Sequence, residues 1–199
     1  MTPIVGRSLC AVVFGAWLNA ALALDTNNCA GGIVYGDGWA FVVAAPDGWC
    51  MVLKSGLPVN AAFFQIKSKT TKEIAPSTAA PPTFMYLTSS VKNQSDPDLE
   101  SLMTHDEEAF RRTSPNLKIT KMSPLNTVDK KPAQVRKFEG IKGGRCEIVA
   151  YKSYDARMYK IIVSAPTCTE LRLHRDSFAK LVGSFADVKD GVQFKGSEK

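Results

Sequence analysis

Few residues in this chain are of types that do chemistry. Only two histidines occur in 199 residues, His105 and His174. His105 lies in Thr104-His-Asp-Glu-Glu108, three positions from Glu108. At helical spacing such a pair offers two ligands, and a structural metal site needs four. The reading taken is a solvated polar face. His174 falls among apolar residues at helical spacing, as a core histidine with one hydrogen bond does, or as a pocket-lining general base does. Asp106 interrupts the apolar side of its helix and reads as a boundary carboxylate reaching a backbone N–H. Ser177-Phe-Ala-Lys180 has the S-x-x-K spacing of acyl-enzyme serines. The companion S-D-N and K-T-G elements are absent, and both side chains turn away from the apolar stripe. Gly36-Asp-Gly38 and Gly143-Gly144 precede strands, so they read as turns and not as phosphate cradles. Asn93-Gln-Ser95 is a glycosylation sequon, which matters only in a eukaryotic source. No catalytic or metal motif assembles, and no cofactor is implied.

The N-terminus carries the clearest address. Arg7 is the only charge before Asp25, and an apolar run from Leu9 to Leu18 follows it. Ala21-Leu22-Ala23 then has the small residues of a signal-peptidase site. A membrane anchor needs roughly 20 apolar residues, and Gly15 and Asn19 interrupt this stretch. Asn27 and Asn28 before Cys29 do not suit a lipoprotein signal. The expected organisation is a signal peptide over 1–23, a single α+β domain over 24–186, and a polar tail over 187–199, without stable membrane insertion after cleavage. A secreted or periplasmic location follows. Cys10 leaves with the signal, and Cys29, Cys50, Cys146 and Cys168 remain for an oxidising space. The net charge is +6, from 25 Lys and Arg against 19 Asp and Glu. It is spread without the basic, aromatic-interleaved stripe of a nucleic-acid binder.

Elements that must position these residues follow from periodicity. Strand runs are Trp39–Ala45, closed by the turn signal Pro46-Asp47-Gly48, then Ala61–Ile66 and Thr83–Thr88. Residues 67–82 read as loop. Two-residue alternation cannot bury both Phe63 and Phe64 on one face, so either the sheet is covered on both sides or one ring, with Phe64 a candidate, lines a groove. Asp96-Pro97 opens a helix with Asp96 as N-cap, and Leu99, Leu102, Met103 and Phe110 share its apolar face. Four more strands follow: Leu117–Met122, Ala133–Phe138, Arg145–Tyr154 and Met158–Ala165. The last two form a hairpin. Thr167-x-x-Glu170 is a capping box, and Leu171, His174, Phe178, Leu181, Val182 and Phe185 predict one final helix. If the hairpin turns near Ala156, Cys146 lies opposite about residue 166, within bridging reach of Cys168. Cys29–Cys50 then follows by exclusion.

Two features together resemble a known family. One is Trp39-Ala-Phe-Val-Val-Ala-Ala-Pro-Asp-Gly-Trp49. The other is the order of strands, helix, meander and terminal helix ending in Phe178-Ala-Lys-Leu-Val-Gly-Ser-Phe185. Over residues 31–186 the chain resembles the PsbP/Mog1-like fold, and in particular uncharacterised exported bacterial proteins of that type. The resemblance implies an antiparallel sheet with helices on its faces, an α/β/α sandwich. It also implies a non-enzymatic binding or accessory role. The expected function is therefore an exported, non-catalytic protein that binds a protein or small ligand of the cell envelope, and not nucleic acid. The alternatives are an inhibitor or immunity-type protein of an exported partner, or a hydrolase using His174. A pocket, if present, would draw on His174, Asp106 and Phe64.

The leader generates the first prediction. Intact-mass measurement of the exported protein should give a chain beginning at Leu24, and a product retaining Met1–Leu18 would make it membrane-anchored instead.

Overall fold

The computed structural model describes residues 29–36, 39–52, 61–66 and 82–188. The masses of apolar residues in two adjacent strands set the plan. β8 (Cys146–Ser153) and β9 (Arg157–Ala165) form the expected hairpin, with Ser153 opposite Met158 and Cys146 opposite Ala165. Nearly every residue of both is buried. Strands buried on both faces need cover on both sides.

Around them lies a seven-stranded antiparallel sheet in the order β3-β4-β5-β9-β8-β7-β6. Its other members are β3 (Trp49–Val52), β4 (Ala61–Ile66), β5 (Phe84–Val91), β6 (Lys118–Asn126) and β7 (Pro132–Glu139). β9 is the middle strand, as its apolar run requires. One face is covered by α1 (Leu99–Thr113), whose Leu102 and Met103 pack with Phe138, Val149, Tyr151, Met158 and Ile162. The other face is covered by α2 (Cys168–Leu173), α3 (Arg175–Ser184) and a second sheet. That smaller sheet has the order β1-β2-β10, from β1 (Gly31–Gly36), β2 (Trp39–Ala44) and β10 (Ala186–Val188). Phe41, Phe64, Leu87, Ile161, Phe178 and Phe185 meet in this second, larger core. No helix among the described residues is long and apolar enough to cross a membrane.

The α+β, antiparallel architecture agrees with the sequence, and several details differ. The second sheet was not expected. Gly31 and Gly32 disguise β1 as irregular lead-in, and β10 continues two residues past the boundary placed at 186. Gly31 has φ 103° and lies against the Val43 carbonyl, where a side chain has no room. The helix expected at Asp96 begins two residues later: Asp98 is the N-cap of α1 and accepts from the Ser101 N–H at 2.9 Å. The carboxylate of Asp96 is instead 2.6 Å from His105. The single final helix is two. His174 sits at φ −106°, ψ 8°, outside helical geometry, so the axis turns there. α2 then lies along β8 and β9, while α3 reaches β2, β6 and β9. Periodicity runs straight through the break, because neither Gly nor Pro marks it.

Both cysteine pairs expected from the hairpin register come to disulfide distance. Cα atoms are 4.4 Å apart for Cys29 and Cys50, and 5.1 Å for Cys146 and Cys168. The first joins the smaller sheet to β3, and the second joins the start of α2 to β8. Thr167 caps α2 by accepting from the Glu170 N–H at 3.1 Å. The Glu170 carboxylate does not close the capping box and instead accepts from the Thr83 hydroxyl, tying α2 to the lead-in of β5.

Phe178 is completely enclosed between α3 and the sheet. Phe178→Ala should therefore destabilise by about 3–5 kcal/mol, read as a lowered urea midpoint with unchanged slope.

Candidate functional site

The residues singled out for chemistry do not come together. His105, half exposed, sits on α1 beside Asp96 rather than Glu108. His174, at the junction of α2 and α3 on the opposite side of the sheet, packs edge-on to Trp49 with ring centroids 5.3 Å apart. Lys180 pairs with Asp47 at 2.7 Å on the surface. Phe64 is wholly enclosed in the larger core. Its neighbour Phe63 is on the other face, stacked on Tyr86 at 5.4 Å. His174, Asp106 and Phe64 therefore share no pocket: one is at a helix junction, one under α1 and one in the core. Among the described residues no three His, Cys, Asp or Glu side chains cluster as metal ligands.

Asp106 does not reach a backbone N–H. Both its oxygens accept from Lys160 Nζ, at 2.9 and 3.1 Å, because β9 carries that lysine under the helix. The Tyr151 hydroxyl is buried beside this pair with no hydrogen-bond partner. Burial first, and then the Asp106 carboxylate, push its pKa far up. Further along the same face, Ser164 donates to Glu147 at 2.7 Å and accepts from Arg145 Nε at 3.0 Å. The Arg145 guanidinium lies 5.0 Å from the centroid of the Phe84 ring. Burial raises the Glu147 carboxyl above its usual range, outweighing the Ser164 hydrogen bond and the Arg145 charge. These groups form a polar seam on this face: Asp106–Lys160 fastens α1 to the sheet, and Ser164, Glu147 and Arg145 answer one another within it.

The concave feature lies on the opposite face. A groove of about 280 Å³ opens between the N-terminal part of α3, β6 and β7. Met122, Leu125, Val135, Ile148, Phe178 and Ala179 line its apolar part, and Ser123, Arg175 and Asp176 are the exposed residues at its rim. A break in strand register makes it. Met122 and Leu125 are three apart, so regular alternation would put them on opposite faces. The pairing of β6 with β7 shifts between them, at Ser123-Pro124, and both side chains turn toward the larger core. Edge bulges of this kind re-aim side chains beside sites. Sequence reading missed the groove, although Pro124 inside a strand-like run was a usable sign of an edge strand with a bulge.

Elsewhere, the loop between β6 and β7 is closed by a buried lysine. Lys152, 3% exposed, donates to Asp129 at 3.3 Å and to the Lys131 carbonyl at 3.0 Å. Burial alone would raise Asp129, but hydrogen bonds from Thr127, the Lys131 N–H and Lys152 bring it down to about 2.

No family model matches the sequence. No curated protein matches it either. Solved structures are similar in shape. The solution structure of cyanobacterial PsbP (CyanoP) from Synechocystis sp. PCC 6803 is 12% identical with a TM-score of 0.47, covering 80% of this chain and 94% of that one. The Ran-binding protein Mog1p of Saccharomyces cerevisiae is 15% identical with a TM-score of 0.47, covering 80% of this chain and 97% of that one. PsbP and Mog1 are the two folds that the sequence motifs resemble.

A test of the seam follows from Glu147. Its raised pKa means the folded state holds the proton more tightly than the unfolded chain. Its stabilising contribution is complete below the usual 4.5 and is lost as pH rises through the folded value. Glu147→Gln should therefore match or exceed the parent's urea midpoint at pH 7, with the difference shrinking toward pH 4. A variant weaker than the parent at pH 7 would show that the ionised carboxylate is the stabilising form.

Proposed function

We propose that this chain is an exported, non-catalytic binding protein and that its ligand site is the groove between β6 and the start of α3. The observation that carries the reading is the groove, an apolar floor opened by the bulge at Ser123-Pro124 with an arginine at its rim. An apolar cleft with a few polar groups at its margin is the usual form of a binding site.

The placement of the chemistry-bearing residues supports a role without catalysis. His105 answers Asp96, His174 lies on Trp49, and Lys180 pairs with Asp47. Export is supported by the leader, with its apolar run and Ala21-Leu22-Ala23, and by two cysteine pairs at disulfide distance. The ligand is then a component of the cell envelope. An inhibitor or immunity-type role is one form of this binding. A hydrolase using His174 has less support, because the ring faces an indole and no carboxylate or hydroxyl.

Filling the groove tests the proposal. Ala179→Trp and, as a second variant at an exposed position, Ser123→Trp should keep the denaturation midpoint of the parent. Both should weaken retention of the envelope ligand by about tenfold or more, the loss of roughly 1.4 kcal/mol. Retention unchanged in both stably folded variants would remove the groove as the site.

A further inference from the structure

β6 is the outer strand of the large sheet. One edge pairs with β7, and the other row of N–H and C=O groups faces away from the sheet. Such a row is a template for an added strand. Pairing with β7 is regular from Lys118 to Met122 and resumes at Leu125. The stretch before the bulge is thus a straight edge that ends at the mouth of the groove.

The charges beside it are of one sign. Lys118 is exposed on the groove side of β6 and Lys121 on its α1 side, so they flank the edge from both faces. Arg175 is exposed at the groove rim, and none of the three enters an ion pair among the described residues. The nearby carboxylates of β7 and α1 are engaged elsewhere. Glu139, opposite Lys118 on β7, is held by Lys137 Nζ at 2.9 Å. Glu107 is held by Arg136 at 3.4 Å, while Asp176 stands exposed beside Arg175 at the rim, so the net excess of positive charge lies along β6. Edge lysines repel a second copy of the same strand, so they select against self-pairing and in favour of an oppositely charged partner.

Resting on the groove as the binding site, we infer that this edge takes an extended acidic segment of a partner protein. The segment pairs with Lys118–Met122 as an added strand and seats one apolar side chain in the groove. Main-chain hydrogen bonds supply affinity in this mode, and side-chain pockets supply specificity. The size agrees: about 280 Å³ is below the roughly 300–1,000 Å³ of sites for drug-sized ligands and suits a side chain. Pro124 lacks an N–H, which limits the added strand to the part of β6 before the bulge.

Titration of the exported protein with two labelled peptides tests this. One alternates Glu and Thr about a central Leu, and the other has Lys in place of Glu. The acidic peptide should bind saturably, shift the amide resonances of residues 118–122, and weaken about tenfold or more in the double variant Lys118→Glu/Lys121→Glu, as loss of complementary charge requires. Equal binding of the two peptides, no binding of the acidic one, or full binding by the charge-reversed variant would overturn the inference. Retention of the envelope ligand separates the two claims. If Ala179→Trp loses it while the double lysine variant keeps it, the groove stands and the acidic strand does not. If both variants keep it, both claims fall.

Discussion

The structure depends on one constraint: β8 and β9 are buried on both faces, so every polar group they carry must be met from the layers above and below. Unpaired, such groups would each forfeit about 1–3 kcal/mol. Lys160, at the middle of β9, meets Asp106 of α1. Ser164 meets Glu147 and Arg145. Lys152 meets Asp129 of the loop between β6 and β7, and Tyr159 meets Asp187 of β10. The Ser164 contacts stay within the hairpin, and each of the other three assigns one outer element to one position on it. Apolar area alone would leave α1 and β10 free to slide along the sheet, since burial has no direction, and the Lys160 and Tyr159 contacts give them an address.

How much of this was legible in the sequence depended on the range of the signal. The hairpin of β8 and β9 was plain, because a continuous apolar run and a short polar turn are local. Its register brought Cys146 within one residue of its true partner, Ala165, close enough to pair the cysteines correctly. The covering layer was harder. β1 is rich in glycine, β3 is four residues long and β10 three, and strands that short are made by their neighbours rather than by propensity. Phe63 and Phe64 posed a question that local reading left open. The answer, Phe64 in the core and Phe63 against Tyr86, needed both layers to be in place.

The site was legible only by negation. Its chemistry-bearing residues were few and lay far apart, and the fold leaves them apart. The groove was invisible because it comes from a break in register met by a distant helix. A bulge turns Met122 and Leu125 the same way, and the start of α3, much later in the chain, supplies the opposite wall. Neither fact belongs to a single residue type. Pro124 is the exception, a local sign whose meaning appears only once β6 is known to be an edge.

The smaller sheet has a consequence for the order of assembly. β2, from the front of the described chain, lies between β1 and β10, with Ala186 opposite Val42. Ser184 crosses the same junction, accepting from the Ala44 N–H at 3.0 Å over a separation of 140 residues. Closing so long a loop is slow relative to forming hairpins. A chain that emerges from its N-terminus holds β2 ready long before β10 exists. Until then Phe41 waits without Phe185, with which it is in ring contact in the finished core. The last strand of the described chain is the one that closes over the second, so half-made chains expose an apolar face that finished ones hide.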